Sequence, residues 1–277
     1  MNMQGSAGQK RVTTDYLRIF KVLVPPVPEQ TKIAKIISTW DKAITTTERL
    51  LANSQQQKKA LMQQLLTGER RFFGYDDWNE RSLSSLGTSY TGLSGKKKDD
   101  FGQGKPYVPY INIFRNIKVD IEKLEFVRIG TKEKQNQIKW GDILFTASSE
   151  TPNEVGMSSV VLDDLTETYL NSFCFGFRLN NYDHLLPIFA QFLLRSTIAR
   201  RYISALAQGA TRYNLSPTRL MTIKFNIPPV NEQQKIASIL LCVSNEIAIL
   251  KNQVNQLKQE KTYLMQKLLT GQRRVQV

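Results

Sequence analysis

A gapless internal repeat constrains this chain more than any other feature. Residues 25–71 read PPVPEQTKIAKIISTWDKAITTTERLLANSQQQKKALMQQLLTGERR, and residues 228–274 read PPVNEQQKIASILLCVSNEIAILKNQVNQLKQEKTYLMQKLLTGQRR. The offset is 203 throughout and 21 of 47 positions are identical. Unrelated segments of that length would share about three, so the chain carries one structural unit twice.

Each copy has the pattern of a long helix. Pro26 and Pro229 stand just before it, where a missing N–H costs little, and Glu29 and Glu232 put acid in the first turn. Gly68 and Gly271 follow the last apolar pair and suit a left-handed stop, with arginine pairs beyond. Glu29 to Leu66, and Glu232 to Leu269, would make about 57 Å of helix at ~1.5 Å per residue. Apolar residues recur every 3.5 positions. One seam is Ile33, Ile37, Trp40, Ile44, Leu51, Leu61 and Leu65; the other is Ile236, Leu240, Val243, Ile247, Leu250, Val254, Leu257, Leu264 and Leu268. Sustained seams of this kind predict two helices paired as a coiled coil. Lys58 and Lys261 share one seam position and would pin register. A second stripe lies off the seam: Ala34, Ile36, Met62 and Leu66, matched by Ala237, Ile239, Met265 and Leu269. It suits either docking of another protein or packing against the intervening residues.

Between the helices the texture changes. Short β-rich runs at 107–113, 126–129, 142–146, 158–162 and 173–179 alternate with turn clusters. A helical stretch follows at 185–207, then a strand at 221–227. The expected organisation is α+β: residues 1–28 a remnant resembling the end of the central domain, 29–71 the first long helix, 72–227 a loop-rich mixed domain, and 228–277 the second helix.

Charge and residue counts narrow the chemistry. Lys+Arg 38 against Asp+Glu 24 leaves a net charge of +14, which calls for a polyanionic partner, nucleic acid before membrane. The single histidine, His184, and two cysteines do not make a zinc site or a disulfide framework. The longest apolar run is five residues, so no membrane span is expected, and the first residues lack a secretory core. A reducing cytoplasm is the expected compartment. Three loops stand out as nucleic-acid contacts. TGLSGKKKDDFGQGKP offers Lys96, Lys97, Lys98 and Lys105 to phosphates, with Arg115 nearby in sequence. TASSETPNEVG offers Ser148, Ser149 and Glu150 to base edges, and AQGATRYNLS offers Arg212, Tyr213 and Asn214. Each loop alone is a weak signal, because basic runs usually form solvated turns.

The paired VPPVPEQTKIAKII and IPPVNEQQKIASIL, the paired KALMQQLLTGERR and TYLMQKLLTGQRR, TGLSGKKKDDFGQGKPYVPYINI and WGDILFTASSE resemble the specificity subunit of type I restriction-modification enzymes. The resemblance implies a target-recognition domain that reads one half of a split DNA sequence. It also implies conserved helices that pair antiparallel as a spacer and hold modification subunits, through which a restriction/translocase subunit joins. A complete subunit carries another recognition domain before the first helix. Here about 28 residues at the front resemble the end of such a domain, as expected for a half-type or truncated form in which a second chain, as in a homodimer, would supply the other lobe. No cofactor is expected on this chain; S-adenosylmethionine, ATP and Mg belong to the partner subunits. The residues agree with a non-catalytic reader. N-I-P-P-V lacks the aromatic residue of a base-flipping methyltransferase loop, no GxxxxGK[ST] is present, and no lysine has an acidic residue two positions before it. The competing expectation is a coiled-coil assembly scaffold with only non-specific nucleic-acid binding.

Overall fold

The computed structural model describes residues 3–4 and 11–276. Helix α1, Val27–Thr67, and helix α5, Val230–Leu269, are the two repeat copies. Each opens on a backbone hydrogen bond of 3.0 Å to a proline carbonyl, Gln30 to Pro26 and Gln233 to Pro229. Gly68 and Gly271 adopt φ of +78° and +72°, the left-handed stop that a side chain would oppose. Among the described residues no helix is long and apolar enough to cross a membrane.

The chain divides into two compact units, Met1–Ser54 with Glu246–Val277, and Gln55–Asn245. In the first, polar links join α1 to α5 in opposite order. Ser54 donates to Glu246 at 3.1 Å, Lys258 pairs with Glu48 at 2.7 Å, and Lys261 pairs with Asp41 at 2.5 Å. Arg274 closes on Glu29 at 2.6 Å. The two stretches are therefore antiparallel within this unit. Across both helices all sixteen apolar seam residues are buried or half-buried. Lys261 finds Asp41, whereas Lys58 lies 5.7 Å from the Phe192 ring, so the two seam lysines have different partners.

The second unit holds the mixed domain. A four-stranded antiparallel sheet has the order β2 (Gly87–Thr91), β9 (Cys174–Leu179), β5 (Ile143–Thr146), β7 (Ser158–Val160). A three-stranded sheet sets β3 (Phe101–Val108) between β8 (Tyr169–Leu170), parallel to it, and β4 (Glu125–Val127), antiparallel. β1 (Asn79–Ser82) pairs with β11 (Lys224–Ile227). Helices α3 (Pro187–Leu193) and α4 (Thr197–Ala205) divide the expected helical stretch where Ser196 caps a new N-terminus. The expected strand at 107–113 ends early. Pro109 caps helix α2 (Tyr110–Arg115), because proline at that point supplies no ladder donor and its extended backbone suits an N-cap.

The main core joins sheet residues Ile143, Phe145 and Phe177 to Phe189 and Phe192 of α3. It also takes in Leu65 and Leu66 of α1 and Ile236, Ala237 and Leu240 of α5. The boundaries expected at 72 and 227 thus lie inside this unit, whose core is incomplete without the helix ends. Half of the off-seam stripe has the same explanation. Met62, Leu66, Ala237 and Ile239 pack on this core, whereas Ala34 and Leu269, in the other unit, are exposed.

The duplicated Glu-Gln pair shows this difference in its hydrogen bonds. Glu232 accepts from Arg71 and from the backbone N–H of Phe72, as Glu29 does from Arg274 and the N–H of Val275. Gln233 donates to Pro228 O at 2.8 Å, as Gln30 does to Pro25 O at 2.7 Å. In the Gln55–Asn245 unit Glu232 also accepts from Trp78 Nε1, and Gln233 joins His184 O and the N–H of Leu186.

Candidate nucleic-acid interface

Two of the three predicted loops meet. β6 (Ser148–Ser149) and β10 (Tyr213–Asn214) pair antiparallel, Ser149 opposite Tyr213 and Ser148 opposite Asn214. TASSETPNEVG and AQGATRYNLS therefore form one two-stranded ribbon. Ala147 fastens it to the lobe: its N–H donates to Phe173 O at 2.9 Å and its carbonyl accepts from the N–H of Leu215 at 2.8 Å. Gln208 and Asn214 exchange backbone hydrogen bonds of 3.0 and 2.7 Å around the intervening turn. Gly209 makes that turn possible. Its φ is +128°, and a Cβ there would lie 2.1 Å from Arg212 O.

Beside the ribbon is a cavity of about 590 Å³ lined by Tyr110, Ile111, Phe114, Ser148, Ser149, Glu150, Glu154, Thr211 and Arg212. Tyr110 and Phe114, one turn apart on α2, stack with centroids 5.9 Å apart and 19° between ring planes. The Tyr110 hydroxyl donates to Ser148 O at 2.8 Å, and burial pushes its pKa up, which keeps it a neutral donor. Glu154 accepts from Thr151 Oγ1 at 2.7 Å. The Arg212 guanidinium lies 5.6 Å from the centre of the exposed Phe173 ring. The lining combines aromatic faces, hydroxyls, carboxylates and one guanidinium, the groups that read base edges.

Two half-buried arginines hold the walls. Arg195 donates to Ser158 O at 2.7 Å and to Ile113 O, Phe114 O and Asn116 O at 2.6, 3.1 and 3.1 Å, pinning the end of α2. Arg200 donates to Gly156 O at 2.7 Å, Asn153 O at 2.9 Å and Val155 O at 2.5 Å, gathering the segment that carries Glu154. Burial pushes both guanidinium pKa values down to about 10, so both remain charged at neutral pH.

The lysine loop does not line this cavity. Lys96 departs most from its expected phosphate role: its side chain is only 6% exposed and is bound by Glu133. It also donates to Arg128 O at 2.6 Å, so it organises its own loop. The hydrogen bond from Lys96 is the main reason the Glu133 pKa falls to about 2. Lys105 is paired with Glu167. Lys97, Lys98 and Arg115 are exposed, and no ion pair engages them among the described residues. Of the base-edge candidates, Ser148, Ser149, Glu150 and Arg212 share the cavity. Tyr213 instead packs against the main core, and Asn214 lies outside the lining, its Nδ2 3.5 Å from Arg212 O. Sequence reasoning missed Tyr110, Phe114, Glu154 and Thr211. The signal for the aromatic pair was its spacing of four in YINIF, obscured by reading that run as a strand.

Comparison with known proteins adds an independent line. The model of the type I restriction modification DNA specificity domain matches residues 1–53 and 75–259. The chain is 26% identical over 270 residues to the type I restriction enzyme MjaVIII specificity subunit of Methanocaldococcus jannaschii, covering 92% of this chain and 62% of that protein. It is 28% identical over 199 residues to the EcoKI specificity subunit of Escherichia coli, covering 71% and 42%. The crystal structure of the HsdS subunit from Thermoanaerobacter tengcongensis is similar in fold, with TM-score 0.56 and 19% identity over 97% of this chain and 65% of that one. The type I S subunit from M. genitalium gives TM-score 0.57 at 14% identity, covering 97% and 68%. The chain spans just over three fifths of the length of the two Methanocaldococcus relatives it matches.

Proposed function

Because the chain belongs to the type I restriction modification DNA specificity family, we propose that it is a non-catalytic DNA reader. It recognises one half-site and carries modification subunits on its long helices. The observation that carries this reading is the convergence of two separate loops on one cavity in a chain of net charge +14. Cations bind phosphates, release counterions and set orientation, while cavity side chains distinguish bases. Lys97, Lys98 and Arg115 suit the first task; Ser148, Ser149, Glu150 and Arg212 suit the second. Methylation, cleavage and translocation, with their S-adenosylmethionine, ATP and Mg, belong to partner chains in a cytoplasmic complex.

The buried seams and antiparallel ion pairs support a coiled-coil hairpin as the scaffold. The Glu29–Gln30 end repeats the helix-borne half of the Glu232–Gln233 network. This supports a second recognition lobe there.

Binding to selected and random duplexes across a salt series, with the modification subunits present, tests the reader role. A reader prefers its selected duplex by roughly a thousandfold or more, with a log–log salt slope of about −0.9 per phosphate contact. A steep slope with no sequence preference would instead identify a scaffold with general nucleic-acid affinity.

A further inference from the structure

We infer that Arg212 and Glu150 together read a G·C base pair from the major groove; this deepens the proposed reader role and rests on it. The ribbon register pairs Ser148 with Asn214 and Ser149 with Tyr213. The ladder stops at Ser149 and Tyr213, and Glu150 and Arg212 stand in the bends directly beyond it, on the two sides of the ribbon's end. Both residues are exposed and both line the cavity. No ion pair joins them among the described residues, so each keeps its hydrogen-bonding capacity for a ligand. Glu154 has neighbours of its own, Thr151 and Ser149, which leaves Glu150 as the open acceptor.

Base-pair chemistry then chooses between partners. A guanidinium fork matches two adjacent acceptors, and guanine presents them as O6 and N7. Adenine places an amino donor beside N7 and opposes one arm of the fork. A carboxylate accepts from cytosine N4, the group beside guanine O6 in the same pair. Phe173 supports the fork: its ring lies under the guanidinium, and its own carbonyl is tied to Ala147, the residue before the ribbon. A two-stranded ribbon also has the width that a major groove admits.

The test is enrichment from a library of duplexes with a randomised central segment, using the full chain with its modification subunits, followed by competition binding. Wild type should enrich a motif containing a G·C pair whose replacement by A·T weakens binding at least tenfold. Arg212→Ala should erase that preference at this one position, and Glu150→Gln should reduce it severalfold, with other positions retained. Placing 7-deazaguanine there, which removes N7, should weaken wild type and leave Arg212→Ala unaffected. Thermal melting of the variants, both at exposed positions, separates misfolding from lost recognition. A motif without an Arg212-dependent G·C position overturns this inference while leaving the reader role intact. Enrichment of no sequence at all overturns both.

Discussion

The repeat supplies its own matched control for the stability contributed by the helix ends. Leu66 and Leu269 occupy the same repeat position, yet Leu66 is 4% exposed within the main core and Leu269 is 58% exposed. Truncating a buried leucine to alanine loses transfer free energy and leaves a cavity, about 2–5 kcal/mol together. Exposed substitutions stay within about ±0.5 kcal/mol. At about 3 kcal/mol Leu66→Ala lowers the folding equilibrium roughly a hundredfold. For a unit of this size it lowers Tm by about 6–12 °C, at about 2–4 °C per kcal/mol. Leu269→Ala should shift Tm by no more than about 2 °C on the same scale. Urea and thermal melts followed by tryptophan fluorescence can measure both, because Trp78 and Trp140 lie in the Gln55–Asn245 unit that contains Leu66 and Trp40 lies in the unit that contains Leu269. Equal losses from the two variants, or a loss below about 1 kcal/mol for Leu66→Ala, would refute the claim that helix ends complete this core.

Three further outcomes follow from the geometry. Arg200→Met strips donors from three carbonyls and should cost about 1–3 kcal/mol; hydrogen exchange should show faster opening of residues 153–156, and unchanged protection there would disprove the clamp. Gly209→Ala should cost about 1–3 kcal/mol and open the ribbon, because its φ and the nearby Arg212 carbonyl both oppose a Cβ; retention of the Gln208–Asn214 hydrogen bonds by NMR would count against this. Glu133 has its folded-state pKa near 2, below the ordinary 4.5, so its ionised form stabilises the loop above about pH 4.5 and the contribution disappears as pH falls through about 2. A titration of the Gly130 amide, which donates to Glu133 at 3.0 Å, should report that low midpoint, and Lys96→Met should move it upward; an unmoved midpoint would show that Lys96 is not the cause.

Local pattern was sufficient for the helices and insufficient for the interface. Both long helices, their glycine stops and their seams could be read from residue spacing, because a 3.5-residue period and a left-handed stop depend on neighbours in sequence. The short strands of the main sheet were legible from their β-branched and aromatic runs, most clearly 142–146 and 173–179. The run at 107–113 was misread because its residues suit either strand or helix and Pro109 decides between them locally.

Tertiary structure alone decided which polar residues act together. Glu150 and Arg212 are 62 positions apart, and only folding brings both to the lining of one cavity. Lys96 belongs to a conspicuous basic run, but Glu133, distant in sequence, removes it from the surface. The duplication likewise gives Leu66 and Leu269 the same immediate neighbours in LLTG, and the surrounding core distinguishes them. Backbone periodicity is a short-range property carried by the chain itself. Burial and charge pairing depend on residues that approach from elsewhere, and those approaches exist only after folding.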